Sequence, residues 1–261
     1  MIDSAARSFD AVARLYDAAR PGYPAEVYDF IEALRPFGRG SRILEVGAGQ
    51  GAATREIADR WDAGLVALEP GENLYALLKE KFGGNAKVRI VNSTFEEFAE
   101  DGPYDGIFSA TAFHWPDPAV KYAKAHRLLA DDGLLALYWN NFSVAEAAVA
   151  AEIQGVYRKY WPPQDVPHDP EAAQRAGMER KREELESSGY FALAAHTVFE
   201  RRLRFGRDRY LALLRTFSTH ATRDAAMMED FYGEIGRVMD AAGGAMDVRI
   251  LVNVELGKKL L

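Results

Sequence analysis

Short apolar runs alternate with helical stretches between residues 41 and 140, and this alternation restricts the chain to few folds. Five nearly apolar strands are predicted, at residues 42–46, 65–68, 88–91, 104–109 and 134–139. Strands that are apolar on both faces and joined by helices form a parallel sheet covered on both sides. The alternation therefore predicts a doubly wound α/β core.

The segments outside this core have a different pattern. Amphipathic helices are predicted over residues 5–19 and 25–34, with two prolines and a glycine between them. Two further helices flank a proline-rich stretch after Asn141, and two late strands follow at residues 196–205 and 247–256. The expected parts are an N-terminal helical lid at residues 1–40 and a ligand-binding α/β core at residues 41–140. A helical insertion over the substrate site follows at residues 141–190, and the end of the sheet with substrate-side helices at residues 191–261.

The composition is that of an ordinary globular protein and excludes several functions. Hydrophobic residues make up 48% and charged residues 27% of the 261 positions, which is typical of a chain with a packed core. Cysteine is absent, so disulfides and a cysteine nucleophile are excluded, and no His and acid cluster has the spacing of metal ligands. A net charge of −7 opposes general binding to nucleic acid. We expect no metal and no nucleic-acid partner.

Targeting and membrane segments are not predicted. The sequence has no run of 18 apolar residues, and its first residues include early acids without the apolar stretch of a secretory signal. We therefore expect a cytoplasmic protein with no membrane partner, acting as a monomer or a homodimer.

The segment ILEVGAGQG, residues 43–51, is the most informative local feature. An apolar strand leads into Gly47, Gly49 and Gly51, and a helix follows. Glycines at such a turn allow the backbone to approach a ligand closely, and the amides of the helix N-terminus then face that ligand. The spacing also fits a loose dinucleotide fingerprint, so more than one class of nucleoside ligand stays open.

Two acids help to separate these ligand classes. Glu45 lies two residues before the first glycine, and Glu69 ends the second strand, where it can accept hydrogen bonds from both hydroxyls of a ribose. We expect the Glu45 side chain next to the pocket, where it would repel a pyrophosphate and attract a cation. The turn contains no Lys or Arg. The pattern favours a cationic, phosphate-free nucleoside such as S-adenosylmethionine.

These motifs resemble class I S-adenosylmethionine-dependent methyltransferases, in the small-molecule group that includes trans-aconitate methyltransferase. ILEVGAGQG is similar to the first motif of that family, and LVALEP, residues 65–70, is similar to the acidic end of its second strand. The resemblance covers most of the chain and is best between residues 9 and 141. It implies a mostly parallel, seven-stranded sheet with an antiparallel last strand. It also implies S-adenosylmethionine as cofactor, with S-adenosylhomocysteine as product.

The resemblance also assigns residues to the cofactor. The loop at residues 92–98 places Thr94 and Phe95 near the adenine amino group. The family usually has Asp at the position of Thr94, so the Thr94 hydroxyl or the Phe95 backbone amide is the expected contact. Residues 9–24 are similar to a lid whose Tyr and Arg-Pro lie over the methionine part of the cofactor. The cofactor-binding candidates are Glu45, Gly47, Gly49, Gly51, Glu69, Pro70, Thr94, Phe95, Ser109 and Arg20.

The ends of the fourth and fifth strands provide candidates for the acceptor side, because open α/β sheets bind ligands at this edge. His114 follows the fourth strand and is a candidate base or positioning group, and Tyr16 of the lid is the second catalytic candidate. Arg215 lies in an arginine-rich stretch and could hold an anionic substrate. The substrate-binding candidates are Trp115, Tyr138, Asn140 and Arg215.

The expected activity is methyl transfer from S-adenosylmethionine to a small molecule. Because this reaction is an in-line displacement, the enzyme mainly aligns the nucleophile and excludes water. The resemblance and the arginine-rich stretch favour transfer to oxygen, with a carboxylic acid as one acceptor. Two alternatives stay open: an NAD-dependent oxidoreductase, and a catalytically silent module that binds the cofactor and acts through interactions. Nucleic-acid or protein methylation is disfavoured by the acidic charge.

Overall fold

A computed structural model describes residues 15 and 19–260. The helix predicted over residues 5–19 lies almost wholly outside this part of the chain, and so does Tyr16. The helices and strands are α1 (Ala25–Leu34), β1 (Arg42–Val46), α2 (Ala52–Arg60), β2 (Gly64–Leu68), α3 (Glu72–Phe82), β3 (Val88–Val91), β4 (Tyr104–Ala110), α4 (Pro118–Leu128), β5 (Leu129–Val144), α5 (Ala147–Tyr160), α6 (Pro170–Ser187), β6 (Phe191–Gly206), α7 (Arg207–Arg215), α8 (Ser218–Ala221), α9 (Ala225–Ala241) and β7 (Ala245–Lys259).

The seven strands form one sheet in the order β3-β2-β1-β4-β5-β7-β6. Strands β1 to β5 pair in parallel, whereas β7 runs antiparallel to both of its neighbours. In the middle of the sheet Glu45 pairs with Ala67 of β2 and with Phe108 of β4. The predicted doubly wound sheet with an antiparallel last strand is confirmed, and its central strands end together at one edge.

Both faces of the sheet are covered. Ile43 of β1 packs on the face of α1, α2, α3, α5, α7 and α9, and its neighbour Leu44 packs on the face of α4 and α6. Both side chains are fully buried, and such burial stabilises the fold by about 1.5–3 kcal/mol per side chain. None of the described helices combines the length and the apolar character that crossing a membrane requires.

The last strands are longer than the sequence predicts. Strand β6 begins at Phe191 rather than at residue 196, and its pairing with β7 continues to Gly206 opposite Ala245. Along most of β6 exposed side chains alternate with half-buried ones. An apolar run marks only the covered part of such a strand, because the ladder continues through backbone hydrogen bonds beyond the residues that helices cover.

The two helices of the expected insertion lie on opposite faces of the sheet. Helix α5 buries Ile153 and Val156 against α9 and β5, whereas α6 buries Leu185 against β6 and β7. The proline-rich stretch at residues 162–170 connects them. Because each helix has its own apolar side, each packs on the face that it can cover, and together they do not form a single layer.

Candidate active site

A cavity of about 1000 Å³ opens at the edge where the parallel strands end. The last residues of β1 and β2, Val46 and Leu68, line it together with Ala110 at the end of β4 and Asn140 of β5. Binding pockets for small molecules have volumes of about 300–1,000 Å³. The cavity therefore has room for a nucleoside cofactor and a second small molecule.

The glycine turn at residues 47–51 forms one wall of this cavity. Gly47 and Gly49 line it in the left-handed region, with φ of 72° and 57°. A Cβ on Gly47 would lie 2.4 Å from the Cβ of Ala112, whereas a Cβ on Gly49 would meet no atom within 4 Å. Gly47 is thus required for packing, and the backbone of Gly49 is open to an approaching ligand.

Gly51 has a different role from the predicted one. It is outside the described lining of the cavity, and it precedes α2 with φ of 89°. A Cβ at this position would lie 2.3 Å from the ring of Phe82 and 2.8 Å from Leu78. The third glycine of the motif therefore allows α2 to approach α3 closely.

The Glu69 carboxylate connects the glycine turn to the end of β2. Its Oε2 accepts a hydrogen bond from the Gly49 amide, and its Oε1 accepts one from the Gly71 amide, both at 2.8 Å. Glu69 lines the cavity although only 5% of its surface is exposed. Because a carboxylate oxygen can accept more than one hydrogen bond, this group can bind hydroxyls of a ligand as well.

The structure does not place Glu45 at the cavity surface as predicted. Glu45 is 1% exposed, its Oε2 accepts a 2.6 Å hydrogen bond from the Thr54 hydroxyl, and its Oε1 has no partner among the described residues. Burial, aided by the charge of Glu69, raises the pKa of Glu45 to about 8. Neighbouring residues of a strand point to opposite faces, so Val46 lines the cavity and Glu45 turns toward α2.

Ser109 and Tyr138 are also buried away from the cavity, contrary to their predicted roles. The Ser109 hydroxyl donates to the carbonyl of Val46 at 2.8 Å. The Tyr138 ring packs edge-on against Tyr23, with ring centroids 4.8 Å apart. Neither residue belongs to the described lining. Strand β4 reaches the cavity through Ala110 instead, and β5 through Asn140.

Arg215 does not face the cavity either. Its guanidinium forms two hydrogen bonds with Glu229 of α9, at 2.6 and 3.0 Å, and lies 4.0 Å from the centroid of the Tyr232 ring. Helix α7 ends at this residue. The chain then turns, so that Phe217 and Thr219 line the cavity in its place.

Residues 20–23 form part of the cavity wall. Hydrogen bonds attach this segment to the residue after α7, to β5 and to β6. Arg20 donates from Nε to the hydroxyl of Thr216 at 2.9 Å and from a terminal nitrogen to its carbonyl at 3.1 Å. The Asn140 side chain donates to the carbonyl of Pro21 at 3.2 Å, and Arg201 of β6 donates to the carbonyl of Gly22. These bonds hold Arg20 at the cavity wall.

Thr111 at the end of β4 is a lining residue that the sequence did not indicate. Its φ is 57°, a conformation that costs a β-branched residue about 1–3 kcal/mol. The Thr111 amide donates to the carbonyl of Tyr138 at 2.7 Å, and its hydroxyl lies 2.8 Å from the Tyr23 hydroxyl and accepts from the Asn140 amide at 3.3 Å. No local pattern signals such strain, since neighbouring strands impose it.

His114 and Trp115 line the cavity and lie in the loop between β4 and α4. Asp117 ends this loop and caps the N-terminus of α4. Their ring centroids are 4.6 Å apart. The indole nitrogen of Trp139 donates to His114 Nδ1 at 3.4 Å. Partial loss of solvation and the charges of Lys181, Lys121 and Arg20 lower the pKa of His114 to about 4, although the side chain is exposed to the cavity. The imidazole is therefore neutral at neutral pH.

The loop after β3 forms the opposite wall. Three of the cofactor-binding candidates, Thr94, Phe95 and Pro70, line the cavity. The Thr94 hydroxyl accepts from the Glu97 amide at 3.1 Å, so it stabilises the turn that presents Phe95. Five acids line this part of the site or its rim: Glu69, Glu72, Glu96, Glu97 and Asp117. Arg20 is the one Lys or Arg among the described lining residues.

Comparisons with known proteins agree with this geometry. Residues 43–133 match a family described as a methyltransferase domain. An uncharacterized methyltransferase of Mycobacterium tuberculosis is 31% identical over 133 residues, which is 51% of this chain and 52% of the relative. Malonyl-[acyl-carrier protein] O-methyltransferase of Geobacter sulfurreducens is 29% identical over 132 residues, 49% of this chain and 46% of that protein. The match thus spans about half the length of these relatives.

The fold extends the similarity beyond the matched stretch. A solved structure from Anaeromyxobacter dehalogenans, described as a candidate type II methyltransferase, shares the fold with a TM-score of 0.61 and 17% identity. The superposition covers 92% of this chain and 97% of the other. Residues 43–133 are thus similar to methyltransferase domains, and the rest of the chain shares the fold of a solved protein of this kind.

Proposed function

We propose that the protein transfers the methyl group of S-adenosylmethionine to an oxygen of a small molecule, with a carboxylate as the favoured acceptor, as in the trans-aconitate methyltransferase group. The observation that carries the proposal is the Glu69 carboxylate, which the amides of Gly49 and Gly71 hold at the wall of a large cavity. This arrangement suits the two hydroxyls of a ribose.

The charges around the glycine turn suit this cofactor. A pyrophosphate needs cations or several amides, and residues 47–53 contain no Lys or Arg. Five acids line the cavity, which favours a ligand that carries sulfonium and ammonium charges. When bound, S-adenosylmethionine supplies an electrophilic methyl group on its sulfonium.

The residues of this chain bind and orient the cofactor and keep water away. Glu69 would accept hydrogen bonds from the ribose hydroxyls. The backbone of Gly47 and Gly49 would contact the nucleoside, and the loop of Thr94 and Phe95 would surround the base. Residues 20–23 and the segment of residues 217–219 close the remaining sides, in the role of the expected lid. Exclusion of water and alignment of the acceptor account for most of the catalysis that this displacement needs.

The acceptor side favours an oxygen anion. His114 and Thr219 contribute a ring nitrogen and a hydroxyl there, whereas the lining acids lie in the loops after β2, β3 and β4. Asp117 belongs to the acidic side, because its amide donates to Glu96 at 2.7 Å. The relative from Geobacter sulfurreducens is named as an O-methyltransferase, which agrees with this preference.

Cofactor binding tests the Glu69 assignment. Glu69→Gln should weaken S-adenosylhomocysteine binding by about 1.5–3 kcal/mol, because the amide loses the charge and turns an NH₂ toward one of the two backbone donors. Isothermal titration calorimetry measures the loss, and Glu152→Gln, an exposed acid on α5, should bind as the unmodified protein does. Binding of NADH without S-adenosylhomocysteine would indicate the oxidoreductase alternative.

Methyl transfer to a panel of acceptors tests the reaction. Small carboxylic acids, phenols and amines are incubated with cofactor labelled in the methyl group. Labelled esters, which release methanol in mild base, are the expected product. Transfer to amines alone would contradict the oxygen assignment. Tight cofactor binding with no transfer to any acceptor would favour the silent interaction module.

A further inference from the structure

Lys181 of α6 reaches the back of the cavity wall. Its Nζ lies 5.0 Å from the centroid of the Trp139 ring, and the indole nitrogen of Trp139 donates to His114 Nδ1 at 3.4 Å. Trp139 is buried in the core between α6 and the sheet. A lysine outside the cavity is thus connected to a cavity residue through one aromatic side chain.

We propose that Lys181 is a positioning residue which, through Trp139, holds His114 in the tautomer that presents Nε2–H to the cavity. A neutral imidazole has one donor and one acceptor nitrogen, so an Nδ1 that accepts leaves the proton on Nε2. Because Nδ1 accepts from Trp139, Nε2 is the ring nitrogen that remains to donate to a ligand in the cavity that His114 lines. A cation over the indole face draws electron density from the ring and strengthens its N–H as a donor.

Two acids lie near Lys181. Burial lowers the pKa of Lys181, and the charge of Arg180 adds to this shift, whereas the buried carboxyl of Glu255 and the more exposed one of Glu184 oppose it. Lys121, which also faces His114, is paired with Glu184 at 2.5 Å. Helices α4 and α6 together thus bring Lys121, Lys181 and Glu184 to the sheet face behind the imidazole.

This arrangement gives His114 a specific function within the proposed reaction, on which the inference rests. A fixed Nε2–H donates a hydrogen bond and does not remove a proton. It therefore orients an acceptor that enters already deprotonated, such as a carboxylate, and does not activate an alcohol. Lys181 is then a determinant of substrate class although it lies outside the described lining of the cavity.

Nitrogen NMR of the ligand-free protein tests the inference without any methyl transfer. The protein has five histidines, and His114→Gln identifies the His114 signals by their loss. In the unmodified protein Nε2 should carry the proton near neutral pH. Lys181→Met should give a mixture of both tautomers, and the midpoint of the His114 titration should rise by about one pH unit because a nearby positive charge is removed.

Two variants complete the experiment. Lys181→Arg should restore the single tautomer, and Arg180→Met, which removes a charge from an exposed position of the same helix, should leave it unchanged. An unaltered His114 spectrum in Lys181→Met would overturn the proposal. If that variant does not fold, Trp139→Phe removes the indole donor and must release the tautomer. The two proposals can fail separately. If Lys181→Met loses the single tautomer and the unmodified protein shows no methyltransferase activity, the proposed function is refuted and the positioning role of Lys181 stands.

Discussion

Glu45 and Glu69 show how acids near the ends of two paired strands acquire different chemistry. Glu45 is the second-last residue of β1, and Glu69 directly follows β2. Glu69 accepts from two backbone amides and lines the cavity, whereas Glu45 is buried under α2 and bonded to Thr54. The direction of the side chain, set by the strand period of two residues, decides which acid a ligand can reach.

Gly49→Val should prevent cofactor binding. The new side chain would project from a backbone at φ 57° into the open space beside Glu69. Forcing this conformation on valine also costs about 1–2 kcal/mol of stability. Gly189→Val is the matched control. Gly189 also has a positive φ, of 76°, and a Cβ there would meet no atom within 4 Å, but the residue lies outside the described lining of the cavity. Both variants should unfold at lower urea concentration, and only Gly49→Val should lose S-adenosylhomocysteine in calorimetry.

Helix α6 is held by few contacts for its length. Among its 18 residues Leu185 is the buried one, so the helix depends on polar contacts as well. The most enclosed of these contacts joins Glu184 to Lys121 of α4, which is 2% exposed and also donates to the carbonyl of Phe113 at 3.1 Å. The lysine therefore connects α6, α4 and the residue before His114.

Lys121→Met should destabilise the protein by about 1–3 kcal/mol. The Phe113 carbonyl would lose its buried donor, while Glu184, which is 43% exposed at its side chain, would remain solvated. Urea unfolding measures the change. Lys159→Met removes a lysine from an exposed pair with Glu234 and should leave the free energy of unfolding nearly unchanged, because a solvent-exposed ion pair stabilises a protein little. Equal effects in the two variants would contradict the special place of Lys121.

At the scale of the whole molecule, buried acids make stability depend on pH. Burial raises the pKa of Glu45 to about 8 and that of Glu255 to about 7. The native state then binds more protons than the unfolded chain above the ordinary value of 4.5, so stability falls as pH rises through the folded pKa. Lys181 lies near Glu255 and limits the shift of its pKa, whereas Glu45 has Thr54 as its hydrogen-bond donor.

Glu45→Gln should therefore reduce the loss of stability in mildly alkaline solution. Between about pH 6.5 and 8, Glu45 alone should lower the free energy of unfolding by about 2 kcal/mol in the unmodified protein. The glutamine cannot ionise, and it can still accept the hydrogen bond from the Thr54 hydroxyl. The free energy of unfolding of the variant should therefore fall less with pH and exceed that of the unmodified protein at pH 8. Urea titrations at several pH values check this. Glu186→Gln, at an exposed position of α6, should follow the unmodified curve.

Local patterns predicted much of the fold and part of the site. The central strands, the glycine turn and the place of Glu69 at the cavity followed from apolar runs and turn chemistry, which depend on residues close in the chain. Tyr138 and Arg215 were assigned to the substrate from their position alone, and the structure gives them other partners. Whether such a side chain meets a ligand depends on helices that pack from distant parts of the sequence.

The alternation of strands and helices, with glycines at the first turn, was sufficient to predict a doubly wound sheet and a nucleoside pocket at its edge, because hydrophobic periodicity and backbone freedom act within a few residues. The strained Thr111, the attachment of residues 20–23 to Thr216 and Asn140, and the approach of Lys181 to Trp139 have no signal along the chain. They arise when elements that are distant along the chain meet around one cavity, and packing between them decides which groups face it.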